Sequence, residues 1–194
     1  MRKIISQEEI DKKKKKRQIF VGGLLILIML LSTAGYAFTQ FFGNNSNTNN
    51  EQVVYNGIQF TKQNNLWLAT LQGVQLGFSY NPSETGNINS SMNLTINDYS
   101  QQPLYIYSEY PDAEPELYRN LDSFILRRQY ACPEGESNCP SDFPVKTCQN
   151  NFIILKESNS TSITQQGKCV FIEGKPEDIT KTIDGFLFHI FGVQ

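Results

Sequence analysis

An α/β or α+β domain behind an N-terminal transmembrane helix is the architecture this chain predicts. Three observations predict it: a long uncharged apolar run near the N-terminus, an Asn-Gly hairpin followed by strand-like segments, and two helical stripes set among short apolar runs. The 194 residues suit one compact domain plus an accessory segment, at roughly 150 residues per domain. Reading along the chain gives a basic cytoplasmic tail over residues 1–17, a transmembrane helix over 18–40, an Asn/Ser-rich linker over 41–52 and an extracytoplasmic globular domain over 53–194.

The charges are strongly segregated. Residues 1–17 carry a net +5, which leaves −7 for the remainder of a chain whose total is −2. An acidic main domain argues against nucleic acid as a partner, because binding a phosphate backbone needs a basic face. Residues 18–40 hold no charged side chain, and 19–31 are almost wholly apolar apart from Gly22 and Gly23. A helix over residues 19–39 spans about 31 Å, the thickness of a bilayer's hydrocarbon core. Its Ile, Leu, Val and Phe residues favour insertion by about 3–7 kcal/mol. The basic run Lys12 to Arg17 could serve as a nuclear-localisation or nucleic-acid patch. Against an apolar span it is better explained by the positive-inside rule, which keeps it cytoplasmic and in contact with the lipid bilayer. The rival reading is a cleaved signal peptide ending near Ala37; the length of the run and its aromatic far end (Tyr36, Phe38, Phe41, Phe42) favour a retained single-pass signal-anchor.

Residues 43–52 (GNNSNTNNEQ) have no apolar anchors and read as a tether. Sequons for glycosylation begin at Asn44, Asn89, Asn93 and Asn159, and chance produces such matches in a chain this rich in Asn.

In the globular part, β-prone residues 53–55 and 58–60 flank Asn56-Gly57, a strong short hairpin signal. Residues 66–71 and 74–80 continue as strands around Gln72-Gly73, until Asn81-Pro82-Ser83 ends the run. Met92, Leu94 and Ile96 alternate with polar neighbours and read as a half-buried strand. The first half is thus an antiparallel β-meander. Residues 104–107, 152–155 and 170–172 are apolar strands of the kind covered on both faces. Residues 162–165, before Gly167, can add one short strand. Two helices can do the covering. The first carries Leu117, Leu121, Phe124 and Ile125 on one face behind Asp112, Glu114 and Pro115; the second opens at Pro176, with Glu177 and Asp178 at its positive end, and carries Ile179, Ile183, Phe186, Leu187 and Ile190. The order is meander, then β-α-β-β-α in a mixed sheet.

The hairpin with Trp67, the segment Gly77-Phe78-Ser79-Tyr80-Asn81-Pro82, the later Gly167-Lys168-Cys169-Val170-Phe171-Ile172, and the ending from Asp184-Gly185-Phe186 through His189 to Gly192 resemble uncharacterised single-pass membrane-anchored proteins of small uncultivated archaea. The resemblance covers most of residues 53–194. It implies an architecture and a cell-surface setting, and no activity.

Cys132, Cys139, Cys148 and Cys169 all fall in the exterior domain, where an even count favours disulfides. Of three possible pairings we prefer Cys132 with Cys139 and Cys148 with Cys169, the second worth about 3 kcal/mol on the chain-entropy model. A zinc site and a thioredoxin-like redox centre both lack the close Cys-x-x-Cys pair they use. Glu109, Asp112, Glu114 and Glu116 cluster where a strand gives way to a helix, a place that can hold a ligand or divalent cation; helix capping with a favourable dipole interaction is the preferred explanation of the cluster. The single histidine, His189, falls at the boundary of the last helix's stripe, with no nucleophile in a recognisable setting beside it. Phe188 projects nearly opposite the stripe, so it either seeds an exposed partner patch or is covered by the meander. There is no glycine-rich phosphate loop, HExxH or nucleophile elbow, and no cofactor is implied. Two function classes follow: a membrane-anchored binding or assembly module with a protein or cell-surface partner, or a surface-anchored metal-assisted hydrolase using Glu109 and Asp112.

Overall fold

The computed structural model of the chain describes residues 15, 16, 18–26, 28, 29, 51–86, 88 and 90–194. The chain divides into two units, Met1–Asn49 and Asn50–Gln194. In the first, the described residues are helical, and Ile19, Phe20, Leu25, Ile26 and Met29 are exposed. Among the described residues no helix is long and apolar enough to cross a membrane. The expected tail up to residue 14, the end of the expected span from residue 30, most of the tether, and the sequon residues Asn44 and Asn89 lie outside the described residues.

The second unit is α+β, with an antiparallel four-stranded sheet and a six-stranded mixed sheet. The first is the meander, in the order β1 (Gln52–Tyr55), β2 (Ile58–Gln63), β3 (Leu66–Leu71), β4 (Val74–Phe78). Its hairpins close because both central residues of each turn take positive φ: Asn56 at 47° and Gly57 at 79°, Asn64 at 50° and Asn65 at 66°, Gln72 at 51° and Gly73 at 77°. That is the turn whose twist matches the flanking strands. One face buries Phe60, Trp67, Ala69, Leu71, Leu76 and Phe78.

After the short helix α1 (Pro82–Thr85) and the two-residue strand β5 (Ser90–Ser91), residues 92–95 carry no regular structure. The half-buried strand expected there is instead the approach to helix α2 (Ile96–Tyr99). The Thr95 backbone N–H and hydroxyl both donate to Asp98 Oδ2, at 2.8 and 3.1 Å. This local capping stops the chain one residue before a strand would have used Ile96. Leu94 and Ile96 are buried all the same.

The mixed sheet has the order β5-β11-β12-β10-β6-β7, where β6 is Pro103–Ser108, β7 Arg127–Tyr130, β10 Phe152–Glu157, β11 Ser162–Gln166 and β12 Cys169–Gly174. Strands β6, β7, β10 and β12 are mutually parallel, and β11 pairs antiparallel with β12. Helix α3 (Glu114–Leu121) connects β6 to β7, and helix α4 (Ile179–Ile190) follows β12. Both helices start later than the sequence suggested and without a side-chain cap: Ala113 and Asp178 hold the N-cap positions. Phe124 and Ile125 lie beyond the end of α3 and still join the core, with Phe124 centred 5.3 Å from Phe191.

The two helices do not cover both faces of the sheet. Leu117 and Leu121 of α3 and Ile183, Phe186 and Leu187 of α4 share one core with Leu104, Ile106, Ile153, Leu155, Val170 and Ile172, which are alternate residues on a single face. The connection from β7 to β10 passes over β6 without a long helix, and residues 131–148 cover the other face.

Helix α4 is held between the two sheets. It packs on β11 and β12, while Phe188 projects to the meander, 5.7 Å from the Phe60 ring and 4.6 Å from the Phe78 ring, with no exposed surface. An exposed patch at Phe188 is therefore excluded, and of the two readings the covered one holds. A helix apolar on more than one side needs cover on more than one side.

The outer edge of β4 has no neighbouring strand; side chains of the helices take that place. Asn120 accepts from Gly77 N at 3.0 Å and donates to Gly77 O at 2.9 Å. Glu116 accepts from Ser79 N and the Ser79 hydroxyl at 3.1 and 2.6 Å, and Asp184 accepts from Tyr80 N at 2.8 Å. Burial, then the neighbouring Glu116 carboxyl that hydrogen-bonds to it, hold Asp184 well above the usual carboxyl range. Arg119 is paired to Glu116 from the outer side.

Two outcomes follow from this packing. Phe188→Ala should lower unfolding stability by about 3–5 kcal/mol in denaturant titration, the cost of a large buried side chain. Asp184 binds its proton more tightly folded than unfolded, so its contribution is full below about pH 4, the unfolded value, and declines as pH rises through the folded one. An Asn amide can donate to Glu116 and accept from Tyr80. Asp184→Asn should therefore gain stability relative to the native chain as pH rises above about 4, while Asp184→Ala costs about 1–3 kcal/mol through the orphaned Tyr80 N–H.

Candidate functional site

On the face of the mixed sheet away from the helices, Tyr105, Phe152, Ile154 and Cys169 are buried together with Ala131, and Tyr107, Cys148 and Phe171 pack around them. Cover comes from a segment with little regular structure, held by two bridges. Strand β8 (Cys132–Pro133) pairs with β9 (Val145–Lys146), and Cys132 is bonded to Cys139 across the intervening loop. Cys148 is bonded to Cys169 at the start of β12, with a Cα separation of 4.8 Å. Both pairings are the ones the sequence favoured.

Gly167 makes the second bridge possible. It sits at φ +58°, and a Cβ there would lie 2.7 Å from the Cys148 carbonyl oxygen. With no side chain in the way, that oxygen accepts from Lys168 N at 2.8 Å and brings Cys148 against Cys169.

Between this cover and the sheet lies a cleft of about 350 Å³ lined by Pro133, Glu136, Lys146, Ile154, Lys156 and Phe171 among others, with the Cys148–Cys169 bridge at one side. Its floor is the register pair Ile154 and Phe171 of β10 and β12. Lys156 Nζ donates to Glu136 Oε2 at 2.7 Å, tying the 133–136 turn to the sheet. That bond holds Glu136 below the usual carboxylate range and Lys156 above its own usual value. Lys146 Nζ lies 4.6 Å from the centre of the Tyr105 ring. A wider depression of about 450 Å³ on the outer face of the meander is lined by Gln59, Thr61, Gln63, Thr70 and Gln75 among others and has no ionisable side chain. The cleft at Lys146 and Lys156 is the better site, because it combines an apolar floor with a few placed charges.

The carboxylates singled out from sequence do not converge. Glu109 Oε2 accepts from Glu157 N at 2.7 Å, joining the ends of β6 and β10, and Asp112 is exposed. Glu114 is buried and accepts from the hydroxyls of Tyr118 and Tyr130, linking α3 to β7; burial and then this bond push the Tyr118 hydroxyl up. Glu116 belongs to the β4 edge. Among the described residues no group of three or more His, Cys, Asp or Glu side chains could hold a metal ion. His189 is half-buried near the end of α4.

Lys146 and Glu136 escaped the sequence reading because they stand in segments without periodicity; Phe171 and Lys156, in or beside apolar runs read as strands, carried no mark of a site. The usable signal was the placement of Cys148 and Cys169 on either side of β10, which brings Lys146 beside Phe171. No family model, no curated protein and no solved structure matches the chain.

Peptide mapping without reduction should recover Cys132 linked to Cys139 and Cys148 linked to Cys169. Replacing Cys148 and Cys169 together by Ser should lower stability by about 3 kcal/mol, read by denaturant titration of the oxidised protein.

Proposed function

We propose that the chain is a membrane-anchored, extracytoplasmic binding module whose ligand site is the cleft beside the Cys148–Cys169 bridge. The cleft carries the reading: an accessible concavity with an apolar floor and a few fixed charges, built on a rigid sheet and held by two bridges. Disulfides persist in oxidising compartments, which supports an exterior position for residues 50–194. The anchor reading draws on the uncharged run of residues 18–40, the basic run before it, and the exposed Ile19, Phe20, Leu25 and Ile26 on the described helical part. The resemblance to single-pass proteins of small archaea supports the same setting. The partners implied are the bilayer and a ligand or protein at the cell surface.

Protease added to intact cells that express the full chain with a C-terminal epitope should remove the epitope and leave a small membrane-bound stub. Protection of the epitope overturns the topology. Its release into the medium without protease replaces the anchor with a cleaved leader.

A further inference from the structure

We infer that the cleft takes a small carboxylate carrying an apolar ring, the carboxylate against Lys146 and the ring on Phe171; this rests on reading the cleft as the binding site.

The charges in the cleft are not equivalent. Lys156 is neutralised by Glu136 at 2.7 Å. Lys146 makes no ion pair among the described residues; its ammonium rests on the Tyr105 ring, 4.6 Å from the centre. The ring stabilises a cation without cancelling its charge, and β9, paired with the bridged β8, fixes the stem of Lys146. The cleft therefore offers one ammonium, placed by the Tyr105 ring, that has no anion partner among the described residues. Glu134 also lines the cleft, on the exposed part of the 133–136 turn, and makes no ion pair with Lys146. A planar, doubly accepting group such as a carboxylate matches an ammonium with several free donors.

The apolar half of the site is Ile154, already buried, and Phe171, half-buried on the same sheet face. Phe171 leaves ring surface accessible inside a concavity whose wall is the Cys148–Cys169 bridge. Aromatic faces take flat apolar groups by offset stacking. At about 350 Å³ the cleft stands at the small end of ligand pockets, which suits a single ring with a short acidic arm.

Glu136 then has a second role. It occupies Lys156 as a ligand carboxylate would, so the second ammonium is withheld from the site. Glu136→Gln frees Lys156 and presents two cations to the same anion. Glu136→Gln and loss of the Lys146 ammonium thus act in opposite directions, and a gain of affinity cannot come from misfolding.

The test uses the full oxidised chain in detergent micelles, with phenylacetate and its neutral amide phenylacetamide as probes, read by saturation-transfer NMR and calorimetric titration. Phenylacetate should bind about tenfold more tightly than phenylacetamide, the factor that one charge-assisted contact is worth. Lys146→Met should abolish that difference, Glu136→Gln should tighten phenylacetate alone, and Phe171→Ala should weaken both. Equal binding of acid and amide, lost in Phe171→Ala, overturns the anion preference and leaves the cleft as a binding site. Failure of both probes to bind, with the signals of Ile154 and Phe171 unmoved, overturns the cleft reading as well.

Discussion

The free edge of β4 is the constraint on which the rest of the domain depends. Gly77, Ser79 and Tyr80 present backbone groups where no further strand arrives, and a polar backbone buried without partners costs as much as several good contacts supply. Asn120 and Glu116 of α3 and Asp184 of α4 supply those partners. Because the bonds are directional, they set both helices against the meander and so position α4 between the two sheets. The consequence is a buried Asp184 carboxyl beside Glu116, held well above its usual range by burial and by that neighbour. The same edge could have been closed by a strand, at no electrostatic cost; closing it with helix side chains couples the meander to the mixed sheet.

With both helices committed to the space between the sheets, the far face of the mixed sheet has to be covered some other way. Tyr105, Phe152 and Ile154 would otherwise lie open to solvent. Residues 131–148 form a cover too short in regular structure to bury much surface of its own, and chains of that kind are commonly stapled by disulfides. The bridges Cys132–Cys139 and Cys148–Cys169 do this at both ends of the segment. An incomplete cover leaves a cleft, and that is why the candidate site sits beside a disulfide instead of at the carboxylate cluster near the start of α3.

That carboxylate cluster shows how proximity in sequence misleads. Glu109, Asp112, Glu114 and Glu116 lie within eight residues, yet the strand-to-helix turn sends them in separate directions. Glu109 serves a backbone N–H of the neighbouring strand, Glu114 serves two tyrosines, and Glu116 serves the meander. Those three are consumed by structure, and Asp112 is exposed. Lys146 and Phe171, far apart in the chain, come together because the Cys148–Cys169 bridge and the pairing of β10 with β12 converge on one place.

Sequence alone determined the elements whose signal is local. The Asn56-Gly57 hairpin, the apolar strands β6, β10 and β12 and the stripe of α4 all follow from turn chemistry or periodicity, which act over a few residues; among three possible cysteine pairings the sequence favoured one, and the fold decided it. Strand β7 gave no such signal, because Arg127, Arg128 and Tyr130 are exposed on an edge where neither face has to be apolar. Met92, Leu94 and Ile96 alternated like a strand, and the Thr95–Asp98 capping bonds overruled the pattern. Only the tertiary structure decided that Phe188 is core, that both helices lie on one face of the mixed sheet, and that a cleft opens on the other. Each of these depends on which distant surface arrives opposite a side chain, and a single strand or helix carries no record of that.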